Sequence, residues 1–362
     1  MMSCYIHVPF CENICSYCDF CKMFYNENIV DNYLEQLEKE IRALYKGEEL
    51  RTIYIGGGTP SCLSVKQLEK LFEIINLFKK SNNVEFTIEC NFSNTTIEKL
   101  ELFKKYGINR ISFGLETTNS KQLKFLEREE NSEKTKEIIS LCKKLGFDNI
   151  NVDLMYALPG ETIDDLKCDL DFIKSLDIEH VSCYSLIVED HTKLGIKNTE
   201  NIDGDLDYQM YLEICKFMSD NGFNHYEISN YSKKGYESKH NLVYWNNDKY
   251  YGFGLGASGY IDNRRTTNTR SISNYLKGKY LLEEEILEKD DLIYYEIILN
   301  LRKSSGIDLE KLYSLYNVKL DYTELVNLGL LKLDENKLYI PEDKWYISNE
   351  IIIRLLECVI YE

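Results

Sequence analysis

Short apolar runs rich in β-branched and aromatic residues alternate with amphipathic helical patterns along most of this chain, which confines it to an α/β fold built on a parallel sheet. Strands are expected near residues 4–8, 52–55, 85–89, 110–114, 151–155, 180–187 and 225–228. Between them, residues 32–45 carry Leu34, Leu37, Ile41 and Leu44 at three- and four-residue spacing, the pattern of a helix with one apolar face. Residues 97–106 and 133–145 repeat it. Right-handed crossovers would wind these units into a full or partial (β/α) TIM-like barrel. After about Leu282 the rhythm changes: helical patterns at 290–302, 309–316 and 322–328 precede a hairpin, whose arms at 330–333 and 337–340 flank Asp334-Glu335-Asn336, and a closing helix at 348–358. The expected division is a large domain over 1–282 and a small winged-helix-like one over 283–362.

Lys and Arg number 43 against 60 Asp and Glu, a formal net charge of -17. Such a surface repels phosphate backbones and anionic lipid. Nucleic acid is therefore not expected as a partner, even for the small domain, which is read as a docking or structural unit. No run approaches the roughly 18 apolar residues of a membrane span, and the opening residues lack a basic region followed by an apolar stretch. The expected location is the cytoplasm, with membrane contact at most peripheral.

Twelve cysteines in a chain of this length and type read as thiols and metal ligands rather than disulfides. Cys11, Cys15, Cys18 and Cys21 crowd onto the segment directly after the first expected strand. Three thiolates at spacings of four and three, on a loop at the carboxyl end of a barrel strand, can each bind a different iron of one four-iron four-sulfur (4Fe-4S) cluster. The fourth iron then needs another ligand. A zinc knuckle is the competing reading, but zinc asks for a fourth ligand and usually a second cysteine pair. Cys21 could close the site with a fourth thiolate; it is expected instead to lie nearby without ligating. His7 reads as a hydrogen-bonded strand residue. Cys142, Cys168, Cys183, Cys215 and Cys358 stand in apolar contexts and read as core thiols.

Beyond the second expected strand comes Gly56-Gly57-Gly58-Thr59-Pro60, where missing side chains would let the backbone approach a bound ligand. With both motifs in place the chain resembles the radical S-adenosylmethionine (SAM) family of oxygen-independent coproporphyrinogen III oxidases (HemN) and their relatives, the HemW heme chaperones, from Tyr5 to the C-terminus. The resemblance implies a 4Fe-4S cluster on Cys11, Cys15 and Cys18 whose open iron is chelated by the amino and carboxylate groups of SAM. It assigns Gly57, Gly58 and Thr59 to the methionine part of SAM, and Tyr5 and Tyr17 to the cofactor lining. Glu89 in Glu89-Cys90-Asn91 and Asp153 in Asn151-Val152-Asp153 would form hydrogen bonds in the cofactor site. Arg128 in Glu127-Arg128-Glu129 would hold the SAM carboxylate, a contact suited to the guanidinium fork. Two positions depart from the family pattern. Glu116 stands where a Gln is usual, adding negative charge and losing an amide donor, and Phe92 replaces a proline.

The two branches differ next. Where the oxidase carries a further cysteine two residues past the third cluster ligand, this chain has Phe20. Downstream, His240-Asn241-Leu242-Val243-Tyr244-Trp245 looks like the His-Asn-x-x-Tyr-Trp motif through which HemW proteins bind heme. Imidazole is a common axial ligand of heme iron, and Tyr and Trp offer flat apolar faces to a porphyrin. The glycines of the following segment, 251–259, would let a loop approach that planar ligand. On the resemblance the chain is expected to bind heme at His240, Asn241, Tyr244 and Trp245 and to deliver it to acceptor proteins such as respiratory enzymes, served by an electron donor and compatible with a homodimer. The alternatives are a coproporphyrinogen III oxidase or other porphyrin-modifying enzyme, and a catalytically silent relative.

Overall fold

A computed structural model describes residues 2–361. Twelve strands form its main sheet: β1 (Met2–Val8), β2 (Leu50–Gly57), β3 (Lys80–Cys90), β4 (Arg110–Glu116), β5 (Ile150–Tyr156), β6 (His180–Ser185), β7 (Asn224–Glu227), β8 (Asn230–Ser232), β9 (Tyr250–Gly254), β10 (Ser258–Ile261), β11 (Arg264–Asn268) and β12 (Leu281–Ile286). Their order is β12-β11-β10-β9-β1-β2-β3-β4-β5-β6-β8-β7. The run from β9 to β6 is parallel, and an antiparallel extension lies at each side. The two ends of the order are different strands, so the barrel is partial.

The parallel strands alternate in a way that explains the layers. One set of residues, including Cys4, Ile6, Val8, Ile53, Ile55, Phe86, Ile88, Ile111, Phe113, Val152, Leu154 and Val181, forms a single core with apolar residues of the surrounding helices. The intervening positions carry Tyr54, Glu89, Ser112, Asp153, Ser182 and Tyr184, which face the hollow of the sheet. The helices begin at side-chain caps that satisfy their first free N–H groups. Asn26 starts Glu27–Leu44 by accepting from the Ile29 N–H at 3.2 Å, several residues ahead of the start expected from apolar spacing. Ser64 and Gln67 make a reciprocal capping box on Val65–Ile75.

Three expectations change here. Residues 225–228 were read with the parallel strands, yet β7 is an antiparallel edge strand. The glycine-rich segment after the His-Asn-x-x-Tyr-Trp motif is no ligand loop: β9 pairs with β1 as the seventh parallel strand. Its glycines relieve crowding, since a Cβ on Gly252 would run into the Ser258 carbonyl and one on Gly254 into His7 and Tyr33. The division expected at residue 282 falls within β12, which pairs with β11; the second hydrophobic core runs from Ile293 to Leu355.

That second core gathers the helices Lys289–Asn300, Leu309–Tyr316, Thr323–Asn327 and Ser348–Leu356 around a three-stranded antiparallel sheet, with Lys332–Asp334 and Lys337–Tyr339 as its hairpin. It joins the main sheet through backbone bonds from Ile228 N–H to Arg302 O (3.0 Å) and Ser304 N–H to Tyr226 O (2.9 Å). Of the five scattered cysteines, Cys142 and Cys183 are buried, Cys215 and Cys358 half-buried, and Cys168 is exposed, which removes it from the core.

Burial holds three histidines neutral: His7 is pushed down to about 4, His240 to about 3, and His180 well below the ordinary value, with nearby guanidinium groups adding to the effect. Unfolded, each would take up a proton near pH 6.5. The unfolded state therefore binds more protons below that pH, and these rings make folding stability fall as pH drops from 6.5 toward 4. Asp153 and Glu227, raised to about 7, and Glu161, raised to about 8, act oppositely over the same window. A difference measurement separates them. Replacing His180, whose ring bonds Asn151 (2.6 Å) and Tyr226 (2.8 Å), by Gln should flatten the acid loss by up to one proton, about 1.4 kcal/mol per pH unit, in urea melts between pH 6.5 and 4.5.

Candidate functional site

The cysteine loop leaves β1 and is clasped by the turn after β2. Gly58 N–H donates to the Val8 carbonyl and Thr59 N–H to the Phe10 carbonyl, both at 2.8 Å. Thr59 Oγ1 lies 3.7 Å from Cys11 Sγ, and an Arg128 Nη1 donates to Cys15 Sγ at 3.6 Å. Farther along, Ser16 N–H and Oγ donate to the carbonyls of Leu126 and Phe125, each at 3.0 Å. The Lys22 ammonium bonds the Cys18 and Phe20 carbonyls. Cys11, Cys15 and Cys18 all line one cavity of about 620 Å³. Burial pushes Cys11 up to about 11 and raises Cys18, so these thiols release protons when a metal binds. Among the described residues no three His, Cys, Asp or Glu side chains converge on one point as a single chelated ion requires. A cubane binds its thiolates on separate irons, so a spread trio of soft donors beside two cations fits a cluster and not a zinc knuckle.

Cys21 does not line that cavity. Its Cβ packs where a side chain on Gly256 would stand, and its carbonyl meets His7 Nε2 at 2.6 Å. His7 Nδ1 bonds Tyr5 Oη at 2.9 Å, so the ring is a strand-end bridge.

Opposite the thiols, Glu89, Glu116 and Asp153 reach the same cavity with Tyr17 and Arg128. Glu89 accepts from Tyr54 Oη (2.8 Å) and Gly57 N–H (3.0 Å). Glu116 accepts from Tyr184 Oη (2.7 Å) and pairs with Arg128 at 3.4 Å; its backbone φ is +65°, where the strand register shifts. Asn151 donates to Asp153 at 2.7 Å. Burial, then the charges of Glu116 and Glu89, push Asp153 up to about 7, and burial also raises Glu89. Arg128 spends an Nη2 on the Gly114 carbonyl at 2.7 Å, while its buried Nε has no hydrogen-bond partner among the described residues. A guanidinium with a donor to spare and a set of acceptor carboxylates suit a ligand that carries a carboxylate, a positive charge and hydroxyls together.

Tyr5 stands outside this lining, tilted against Tyr54 with ring centres 6.1 Å apart. Tyr54 and Tyr184 were missed by sequence reasoning, as were Ser112 and Ser182; their signal was available, since each alternates with apolar residues along an expected strand. Phe92, in the place of a proline, stacks on Phe113 at 4.3 Å.

Gly57, Gly58 and Thr59 line the same cavity, and the glycine run also lets the strands crowd together. Cβ atoms built on Gly56 and Gly57 would meet the Glu89 carboxylate at 2.7 Å and the His7 ring at 2.6 Å, and one on Gly58 would meet the Phe10 carbonyl at 2.6 Å. The missing side chains let strand ends close on one another.

The His-Asn-x-x-Tyr-Trp segment forms the helix Lys239–Trp245, with Ser238 Oγ accepting from Asn241 N–H at 3.3 Å. Glu85, in the middle of β3, accepts from the N–H groups of Lys239 (3.0 Å) and His240 (2.9 Å). The His240 ring is 1% exposed, stacks on Tyr54 at 5.1 Å, and bonds Thr52 Oγ1 (2.7 Å) and Tyr244 Oη (2.8 Å). Both ring nitrogens are hydrogen-bonded to hydroxyl groups, and the ring lies against Tyr54. Tyr244 sits edge-on to it at 5.0 Å, and Asn241 and Trp245 are half-buried on the same helix.

Replacing Gly57 by Ala should cost about 1–3 kcal/mol from its φ of +116° alone, and more from the His7 clash. Gly47→Ala, with φ of +88° and open space around it, isolates the backbone part; equal losses in thermal melts of the two variants would contradict this account.

The Radical SAM superfamily profile matches residues 5–173. The heme chaperone HemW of Lactococcus lactis is 38% identical over 370 residues, covering 98% of this chain and 97% of its own length. HemW of Bacillus subtilis is 38% identical over 371 residues, covering 97% and 98%. HemW of Escherichia coli is 32% identical over 301 residues, covering 80% and 79%. Among solved structures, the coproporphyrinogen III oxidase HemN of Escherichia coli, a radical SAM enzyme, superposes with a TM-score of 0.85 at 20% identity, covering 97% of this chain and 89% of that one. The HemN match carries the fold alone; on the HemW matches and the profile, the chain belongs to the family of the HemW heme chaperones, within the radical SAM superfamily.

Proposed function

We propose that this protein is a radical SAM heme chaperone: it holds a 4Fe-4S cluster on Cys11, Cys15 and Cys18, binds SAM over it, carries heme, and hands the heme to acceptor proteins such as respiratory enzymes. The observation that supports the cofactor part is the convergence of three loop thiols, one guanidinium and three carboxylates on a single cavity. Bound there, the cluster and SAM would supply one-electron chemistry, fed by an electron donor. The chain's own work is positioning. Arg128, which lines the cavity, would hold the SAM carboxylate through its guanidinium. Glu89, Glu116 and Asp153 offset the ammonium and sulfonium charges and accept from ribose hydroxyls, so Glu116 serves in place of the usual Gln through its acceptor oxygens. Thr59 and the Gly57–Gly58 backbone hold the cluster loop at the right height, and Tyr17 closes the cavity wall.

Heme carriage rests on the HemW relatives, named heme chaperones. Against the oxidase stands Phe20 in place of a further cysteine, a ring 68% exposed at the cavity mouth. The residues 293–355 form their own core and an acidic chain suits protein docking better than nucleic acid, so we assign that unit to acceptor contact.

Anaerobic reconstitution should load about four irons and four sulfides per chain, and Cys15→Ala should abolish the brown cluster absorption. With SAM, reductant and coproporphyrinogen III no protoporphyrinogen should form; steady product would establish the oxidase instead. Arg128→Lys should weaken SAM binding roughly tenfold by calorimetry, since an ammonium cannot reproduce the guanidinium fork.

A further inference from the structure

The main sheet ends in two edges, and the structure covers one of them. At the β7 edge, backbone bonds from Ile228 N–H to Arg302 O and from Ser304 N–H to Tyr226 O, with a bridge between Glu227 and Lys303, join the sheet to the second core. At the other end β12 pairs with β11 on one side, and no strand pairs with its other side among the described residues. All six residues of β12, Leu281-Leu282-Glu283-Glu284-Glu285-Ile286, are exposed. The register fixes which way their backbone groups point. Leu287 N–H donates to the Asn263 carbonyl at 2.8 Å, and bonded pairs alternate with unbonded ones along an antiparallel ladder. Glu285 is therefore bonded to β11, while Glu284 and Ile286 turn their N–H and C=O groups outward.

We propose that this edge receives an extended, lysine- or arginine-bearing segment of an acceptor protein as a further strand, an inference that rests on the acceptor-contact reading above and names its partner chemistry. In such an addition the backbone supplies affinity and the side chains along the edge choose the partner. Glu283, Glu284 and Glu285 place carboxylates on both faces of β12, in a chain of net charge -17, and the Arg264 guanidinium, 3.0 Å from Glu284, offsets one of them. Ile286, 52% exposed, shares a face with Glu284 and offers apolar contact to the stem of a long basic side chain. The same charges select against a second copy of this chain, because pairing β12 with itself would set glutamates against glutamates.

The edge is also continuous with the unit assigned to acceptors. β12 leads into that unit's first helix, Lys289–Asn300, whose Tyr295 Oη donates to Glu285 at 3.4 Å and carries the Arg265 guanidinium over its ring at 4.0 Å. A strand added at β12 would thus touch both the sheet and the second core.

Calorimetry on the anaerobically reconstituted full chain tests the assignment, with a soluble peptide of about eight residues that alternates lysine with valine as the probe. Affinity should fall about tenfold or more when alternate backbone amides of the peptide are N-methylated, which keeps its charge and removes its strand donors. Ile286→Pro, which deletes one outward N–H and spares the β11 ladder, and the double variant Glu283→Lys with Glu285→Lys should each weaken binding comparably. Equal affinity for the N-methylated peptide, equal affinity for a glutamate–valine peptide, or no binding of the lysine peptide to the wild-type chain would overturn the proposal. So would a wild-type dimer that Ile286→Pro dissolves, which would give the edge to a second copy. Heme titration of the same preparation keeps the two readings apart: a chain that takes up no heme refutes the carrier reading, whereas heme uptake without peptide binding refutes the docking edge alone.

Discussion

The carboxylate of Glu89 is the junction on which the carboxyl end of the sheet depends. It ties down the turn after β2 through Gly57 N–H and holds Tyr54 through its hydroxyl, while Gly56 leaves it just enough room. Through that turn it sets the height of the cysteine loop, because Gly58 and Thr59 grip the Val8 and Phe10 carbonyls. Through Tyr54 it reaches the His240 ring below. A buried carboxylate is costly unless its lone pairs are matched, and here the matching partners are the backbone and side chains that shape the site.

The same burial makes the cavity an unbalanced one. Glu89, Glu116 and Asp153 line it beside the Arg128 guanidinium, and burial first, then the charges of Glu116 and Glu89, pushes Asp153 up to about 7. A cationic ligand relieves that crowding and releases the proton. Glu116 in place of an amide strengthens this preference, and its left-handed backbone shows that the strand bends to aim it inward.

The two ends of the barrel are built differently. At the floor, Thr52, Glu85 and Tyr54 hold the Lys239–Trp245 helix in place. At the mouth, the exposed Phe20 and Ile187 side chains border the cavity into which the cysteine loop reaches.

Local patterns made much of this legible. Alternation placed β1 to β6, spacing marked Cys11, Cys15 and Cys18, and the family resemblance put Glu89, Arg128 and Asp153 in one site, where all three line one cavity. Less legible were Tyr250–Gly254, where glycines masked a strand whose neighbour, β1, lies at the far end of the sequence, and His240, whose motif says nothing about the ring closing on Tyr54 and Thr52. The sequence by itself determined the layered α/β architecture and the thiol loop, because both follow from periods of two to four residues. Only the tertiary structure decided which side chains face ligand and which face core, because partners such as Asp19 and His191, 172 residues apart, meet only when the sheet has curved and brought its loops together.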